Sequence, residues 1–384
     1  MPIIFPNALR SYSVPIFLLV GVFSAIVSYK SIGKVPITIY VTMALTTVIF
    51  LLVGTSAAYA DALLWILFVY IVSPLLWMFF WNRVLERSEI YQVVNILKIY
   101  TLLACLSIFI FMYVFINYGS EYVGMLIDEP NVEFSQGRIG VAMHVLGSLI
   151  FLGTGFLAVP NLINKWLRIP LIIILTAAAL SSGRSALILA AGIGIFINFA
   201  RMSVIEKARF AMGSIFVISL IGIFLTVLSS FSEDEIPIDV FEILLNFLNK
   251  VIQGGGDERV MQLSSLIDGI IESNFLGVGH GVSALVVRNE INPWKYELLW
   301  VSTVFHVGLI GFFIYAIPVL LVGLTFINLK RLKKHNDYDV FVMAGFVSIL
   351  LASNTNPYLQ SFDFQWMFVF PCVYFYKRYR AELR

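Results

Sequence analysis

Apolar and polar positions along the chain divide it into a succession of apolar runs parted by short polar turns, with a single long polar interval. The runs fall at roughly 13–29, 35–54, 60–80, 96–117, 139–159, 167–182, 185–200, 210–230, 297–328, 339–353 and 363–376. Each approaches the length that an apolar helix needs to cross a bilayer, about 20 residues. They predict an all-α, polytopic membrane protein with about 11 transmembrane helices. The run 297–328 is long for one helix and short for two. Gly308 and Gly311 offer a division into a short surface helix and a span, so the count stands at roughly 10–12. The long polar interval is 231–296, broken by Gly254-Gly255-Gly256 and by Gly277-Val278-Gly279-His280-Gly281. It holds two amphipathic helical patterns, one over 242–253 and one running from Asp257 to Ile271. The second has acids in its first turn, where the helix dipole favours them. Polar insertions this long in compact proteins usually carry function.

Composition agrees with that pattern. Hydrophobic residues make up 60% of the chain and charged residues 12%, which excludes a water-soluble core and leaves one integral domain over 1–384. Cys105 and Cys372 both sit in apolar runs, so neither a disulfide framework nor a metal site is expected. The first residues lack a basic start, an apolar core and a small-residue cleavage site, so no removable signal peptide is expected. There is no internal repeat, no low-complexity tract and no nucleic-acid footprint. No cofactor is called for.

Charge placement orients the bundle, because lysine and arginine concentrate in cytoplasmic loops. With the C-terminal Lys377, Arg378 and Arg380 inside, the clusters at 330–334, 201–209, 165–168, 83–98 and 30–34 fall inside too. The 231–296 loop then faces outward, as do the 118–138 loop and the turn at Ser181-Ser182-Gly183-Arg184. An odd number of spans puts the N-terminus, with Arg10, outside. The basic residues left on the outer side of the bundle include Arg138, Arg184, Arg259 and Arg288. Arg138 and Arg184 stand at the lip of a span, where a charge is costly unless solvated or paired. Arginine presents a planar, permanently charged fork suited to phosphate. The simpler reading pairs each arginine with loop acids such as Asp257, Glu258, Asp268 and Glu272.

Beyond the second amphipathic pattern the chain reads Asn274-Phe-Leu-Gly277-Val-Gly279-His280-Gly281. A polar stretch follows, then Glu297-Leu-Leu-Trp300-Val-Ser-Thr-Val-Phe-His306-Val-Gly308-Leu-Ile-Gly311. This order, together with Ser181-Ser-Gly183-Arg184-Ser185-Ala upstream, resembles the bacterial O-antigen polymerase and ligase superfamily over roughly 175–330. Two departures matter. Glu297-Leu298 stands where the ligases carry His-Asn, which favours the polymerase branch. Equal Arg-to-Gly intervals after Arg184 and Arg259 are not met either. The resemblance implies a GT-C-like, lipid-carrier-dependent, metal-independent glycosyltransferase. Its substrate would be an undecaprenyl-pyrophosphate-linked oligosaccharide at the outer face of the bacterial cytoplasmic membrane, and its product O-antigen or capsule. A polysaccharide chain-length regulator would be the implied protein partner.

The residues fit that chemistry. A lipid pyrophosphate leaving group gains negative charge as its glycosidic bond breaks, and fixed guanidinium groups stabilise that charge more in the transition state than before it. Arg184, Arg259, Arg288 and Arg138 are the pyrophosphate candidates. The acceptor hydroxyl needs a base, with Glu297 first and His280 second. Against these, Glu297 also reads as a cap on its helix, and His280 as a loop residue. His144 and His306 read as packed core histidines, and Asp61 and Asp363 as solvated. Trp294 and Tyr296 are candidates to stack on sugar rings, and the turn Asn354-Thr-Asn356-Pro357-Tyr358 to line the cleft. The alternatives are a ligase passing finished glycan to an acceptor and a flippase for the same lipid-linked sugar.

Overall fold

The computed structural model describes residues 10–28, 31–119, 122, 132–135, 138–141, 145–181, 185–209, 212, 256–288, 290 and 292–382. The expected span 210–230 apart from Met212, the pattern 242–253, Gly254-Gly255, His144 and Arg184 lie outside them. Elsewhere the apolar runs are helices: α1 (Arg10–Ser28), α2 (Lys34–Gly54), α3 (Ala60–Leu67), α4 (Ser73–Arg87), α5 (Ile90–Tyr118), α6 (Val145–Ala158), α7 (Lys165–Ser181) and α8 (Ser185–Arg201). After the long loop come α9 (Gly256–Glu272), α10 (Leu299–Arg331), α11 (Asp337–Ala352) and α12 (Trp366–Glu382). One expectation is corrected. Val132–Ser135 and Arg138–Val141 form a two-stranded antiparallel hairpin in which Arg138 pairs with Ser135. The described helix of the run placed at 139–159 is Val145–Ala158, so the described residues are helical with one small hairpin.

Among the described residues four helices, Lys34–Gly54, Ala60–Arg87, Ile90–Ile110 and Leu299–Arg331, are long and apolar enough to cross a membrane. Their outward faces agree, with Leu64 77% and Ile310 72% exposed. Large apolar side chains left open around a helical bundle mark a surface made to meet lipid.

α3 and α4 form one rod joined by a π turn at Phe68–Val72. Pro74 accounts for it, since it has no N–H to give to the preceding turn. Side chains from other helices take up the carbonyls freed there. Gln365 Nε2 donates to Val69 O at 2.5 Å, and Tyr40 Oη donates to Ile71 O at 3.0 Å. A backbone group left unpaired in lipid would cost several kcal/mol, so these two bonds hold the bend in place.

The core lies where α6, α8 and α11 meet, around Phe151, Phe156, Phe341 and Phe346. Within it, Thr154 Oγ1 hydrogen-bonds Ile150 O, Ala190 O and Ser348 Oγ, each at 2.8 Å, tying the three helices together. The bundle end rich in lysine and arginine is fixed by Asp339, which is fully buried. Its carboxylate accepts from Arg378 Nε at 2.9 Å, from Tyr374 Oη at 2.7 Å and from Asn336 N at 2.8 Å. A buried charge persists only when paired and hydrogen-bonded in this way.

Candidate functional site

The opposite end of the bundle carries the site, and its architecture starts from a break. At Gly308 the backbone turns to φ 63° and ψ −177°, so α10 is a short helix over Leu299–Val307 followed by a long one from Leu309. This is the division that Gly308 suggested. A broken helix frees backbone groups, and the loop after α9 fills them. Val278 N donates to Phe305 O and Gly279 N to His306 O, both at 2.9 Å, while Leu309 N donates to Phe275 O at 3.0 Å. His280 N donates to Phe50 O of α2 at 2.8 Å. Segment 275–280 is thus laced between α2 and the break.

The glycines make that lacing possible. Gly277 and Gly279 have φ of 87° and 100°, and a Cβ on Gly279 would overlap the backbone of Gly54. The close approach that the glycine pattern permits is therefore protein backbone against protein backbone, and no cradle for phosphate forms there. Local sequence could not separate the two uses, since both need the same residue type.

This scaffold brings three of the candidate residues together. Arg259 stands in the first turn of α9, Arg288 in the loop beyond it, and Glu297 just before α10. Arg259 Nε donates to Glu297 Oε2 at 2.5 Å, and Arg288 Nε donates to Glu297 Oε1 at 3.0 Å. Arg259 Nη2 also donates to Thr355 O at 3.2 Å, and Arg288 Nη2 to Asn356 Oδ1 at 3.3 Å. All three side chains reach solvent in part, Glu297 at 15% exposure being the most covered. α9 is held down by Leu266 and Ile270, packed with Tyr296 and Phe305. Among the described residues neither arginine pairs with Glu258, Asp268 or Glu272, and the side chain of Asp257 lies outside them. The turn after α11 joins the group through Thr355 and Asn356. Glu297 does not cap its helix: Leu298 holds the cap position, with no side-chain bond to the first turn.

His280 belongs to a separate cluster. It is 4% exposed, with Nε2 3.1 Å from Tyr315 Oη, which lies 2.8 Å from Thr47 Oγ1. Its ring lies 5.8 Å from that of His306, whose Nε2 is 3.0 Å from Val282 O. Burial, reinforced by His306, holds the His280 pKa well below the usual histidine value. Beside it is a void of about 10 Å³, room for one water. Tyr315 and Thr47 escaped sequence reasoning because each sits inside an apolar run, where only their hydroxyls set them apart.

Other expectations are corrected. Trp294 and Tyr296 are buried, Trp294 against Leu51 and Ile66, and Tyr296 with its hydroxyl taking Ala284 N–H at 2.6 Å. Neither face is open to a sugar. Asp363 is buried rather than solvated, whereas Asp61 is exposed in the first turn of α3. For Arg138 only the backbone, in the hairpin, is described, and Arg184 lies outside the described residues. No group of three metal-ligating side chains occurs among the described residues.

Next to the trio opens a cavity of about 540 Å³ between α2, α4, α10 and α12. Leu299 and Trp300, just beyond Glu297, line one end, and Asn328 and Tyr379 the other. Between them the wall is almost wholly apolar, with Phe312, Pro318 and Val322. From Phe312 to Asn328 the helix rises roughly 24 Å at about 1.5 Å per residue, most of a hydrocarbon core. Glu297 precedes Leu299, which lines this slot, by two residues, so an anionic headgroup held by the two guanidinium groups would have an apolar setting for its tail close by. Comparison with protein-family models, with curated proteins and with solved structures found no match to this chain.

Proposed function

We propose that this chain is a multi-pass glycosyltransferase of the bacterial cytoplasmic membrane, with about 11 spans and a GT-C-like architecture. It joins undecaprenyl-pyrophosphate-linked oligosaccharide repeat units of a surface polysaccharide, O-antigen or capsule, at the outer face. In this reading the pyrophosphate of the donor meets Arg259 and Arg288, with Arg138 and Arg184 completing the set. The acceptor hydroxyl gives its proton to Glu297 as its oxygen bonds to the anomeric carbon, and the lipid pyrophosphate leaves with the electron pair of the broken bond. No metal is needed, because the guanidinium charge takes the place of a cation at the leaving group.

One observation carries the reading: Arg259 and Arg288, from α9 and from the loop beyond it, share the carboxylate of Glu297, two residues before Leu299 in the wall of an apolar cavity of about 540 Å³. The break at Gly308 does not favour a flippase, because its free backbone groups are filled by the protein's own loop and not left to line a path.

The test is a gel of surface glycan from cells lacking the chain, complemented with Arg259→Ala or Arg288→Ala. Each variant should leave single repeat units in place of long chains while the protein remains inserted. Long-chain glycan at wild-type level in both would refute the assignment. Lipid-linked polymer with no linked glycan would identify a ligase, and unit-length intermediate trapped inside a flippase. Orientation is tested separately with Leu285→Cys, at a position 94% exposed, and a membrane-impermeant thiol reagent. Labelling only after the membrane is opened would put the site in the cytosol and end the proposal.

A further inference from the structure

Glu297 is held as a free general base would not be. Each of its carboxylate oxygens carries a guanidinium, Oε2 that of Arg259 at 2.5 Å and Oε1 that of Arg288 at 3.0 Å. Among the described residues nothing but Glu297 joins the two arginines to each other. Their Nη2 groups are anchored on the turn after α11, at Thr355 O and Asn356 Oδ1, and their Nη1 groups have no hydrogen-bond partner among the described residues. Two forks fixed from behind thus converge on one small anion. That is the geometry with which arginines take a phosphate, and here the place is taken by the protein's own carboxylate.

We propose that Glu297 is a resident counter-anion which an arriving pyrophosphate displaces from Arg259 and Arg288, and that only the displaced carboxylate can serve as base. The proposal rests on reading the site as that of a lipid-pyrophosphate glycosyltransferase. Two cations and one anion leave a single net positive charge, too little for a doubly charged diphosphate diester. Removing Glu297 from the pair supplies the missing charge. The displaced carboxylate, no longer shared between two guanidinium groups, has its oxygens free to take the acceptor hydroxyl's proton.

The step balances. The acceptor hydroxyl proton passes to the freed Glu297 carboxylate, the hydroxyl oxygen bonds to the anomeric carbon, and the bond from that carbon to the pyrophosphate oxygen breaks. The electron pair stays on the lipid pyrophosphate, whose new charge faces the two guanidinium groups. Glu297 then gives its proton to solvent, regains its charge and competes for the arginines, which helps expel the product. Before donor arrives, both carboxylate oxygens are occupied and the base is masked.

The experiment measures binding of farnesyl pyrophosphate, a short polyprenyl pyrophosphate, to the full-length protein in lipid nanodiscs. Wild type is compared with Glu297→Gln, Glu297→Asp and Arg259→Ala, alongside steady-state turnover with lipid-linked oligosaccharide. Displacement predicts that Glu297→Gln binds the probe at least about fivefold more tightly, because a paired anion no longer competes. It also predicts that kcat collapses while KM for donor does not rise. Glu297→Asp keeps the charge but draws it back about 1.5 Å, too far to hold both arginines. It should also bind more tightly, which covers failure of the glutamine variant to fold. Arg259→Ala should weaken binding by about tenfold or more.

Equal or weaker probe binding by both Glu297 variants, with Arg259→Ala still weakened, would overturn displacement. Glu297 would then position the arginines, and the functional reading would stand. No binding by wild type or by any variant would overturn the functional reading and this inference with it.

Discussion

Gly279→Ala tests the scaffold directly, because the added methyl has nowhere to go. At φ 100° the residue lies where L side chains are strained, at a cost of roughly 1–3 kcal/mol. Its Cβ would overlap the backbone N and Cα of Gly54 and lie 2.9 Å from Phe50 O. These are main-chain atoms that no rotamer change can clear, so overpacking adds roughly 1–3 kcal/mol. Together the loss is about 4 kcal/mol. With an unfolding entropy of ~2.1 cal/mol/K per residue, a chain of 384 residues should melt about 5 °C lower. The assay is the tryptophan-fluorescence melting midpoint of the purified protein. Gly192→Ala is the control. Gly192 lies within α8 with no atom within 4 Å of an added Cβ, so the same methyl should raise stability by about 0.5–1 kcal/mol. If both variants melt with the wild type, segment 275–280 is not seated against α2, and the argument for how the site is assembled fails.

Two more predictions concern stability, and two concern the site. Asp339→Asn removes the anion from a fully buried network and leaves Arg378 with only the half-exposed Glu382 as counter-charge, so the melting midpoint should fall by the equivalent of about 3 kcal/mol. His280 has a depressed pKa in the fold, so below about pH 6.5 the unfolded chain takes up a proton that the folded one refuses, and stability declines as pH falls from there. His280→Gln should make the melting midpoint fall less steeply between pH 6.5 and 5, and an unchanged pH dependence would show the imidazole to be solvated. Arg259→Ala and Arg288→Ala should each leave single-unit surface glycan, read on a gel. Glu297→Gln should tighten pyrophosphate binding while abolishing turnover, and a weaker complex would overturn displacement.

The sequence by itself determined the helices, because their cause is local. A run of about 20 apolar residues must satisfy its backbone within itself wherever no water reaches it. α2, α5, α8 and α11 accordingly lie where the hydrophobic runs do, and even the division of 297–328 at Gly308 was legible from residue type. The hairpin at 132–141 was missed because Ile139, Gly140 and Val141 prolong an apolar run without a break in pattern. Arg259, Arg288 and Glu297 could be picked out as charges in unusual places, yet nothing in the order of residues says that two guanidinium groups close on one carboxylate. Tertiary structure alone decided that, through a broken helix whose free carbonyls seat the loop that bears Arg288. It likewise gave Trp294, Tyr296 and Asp363 buried roles that a polar loop sequence does not reveal. Hydrophobic period records which face of an element leaves water; which charges then meet depends on contacts between residues far apart in the chain, and no local pattern encodes them.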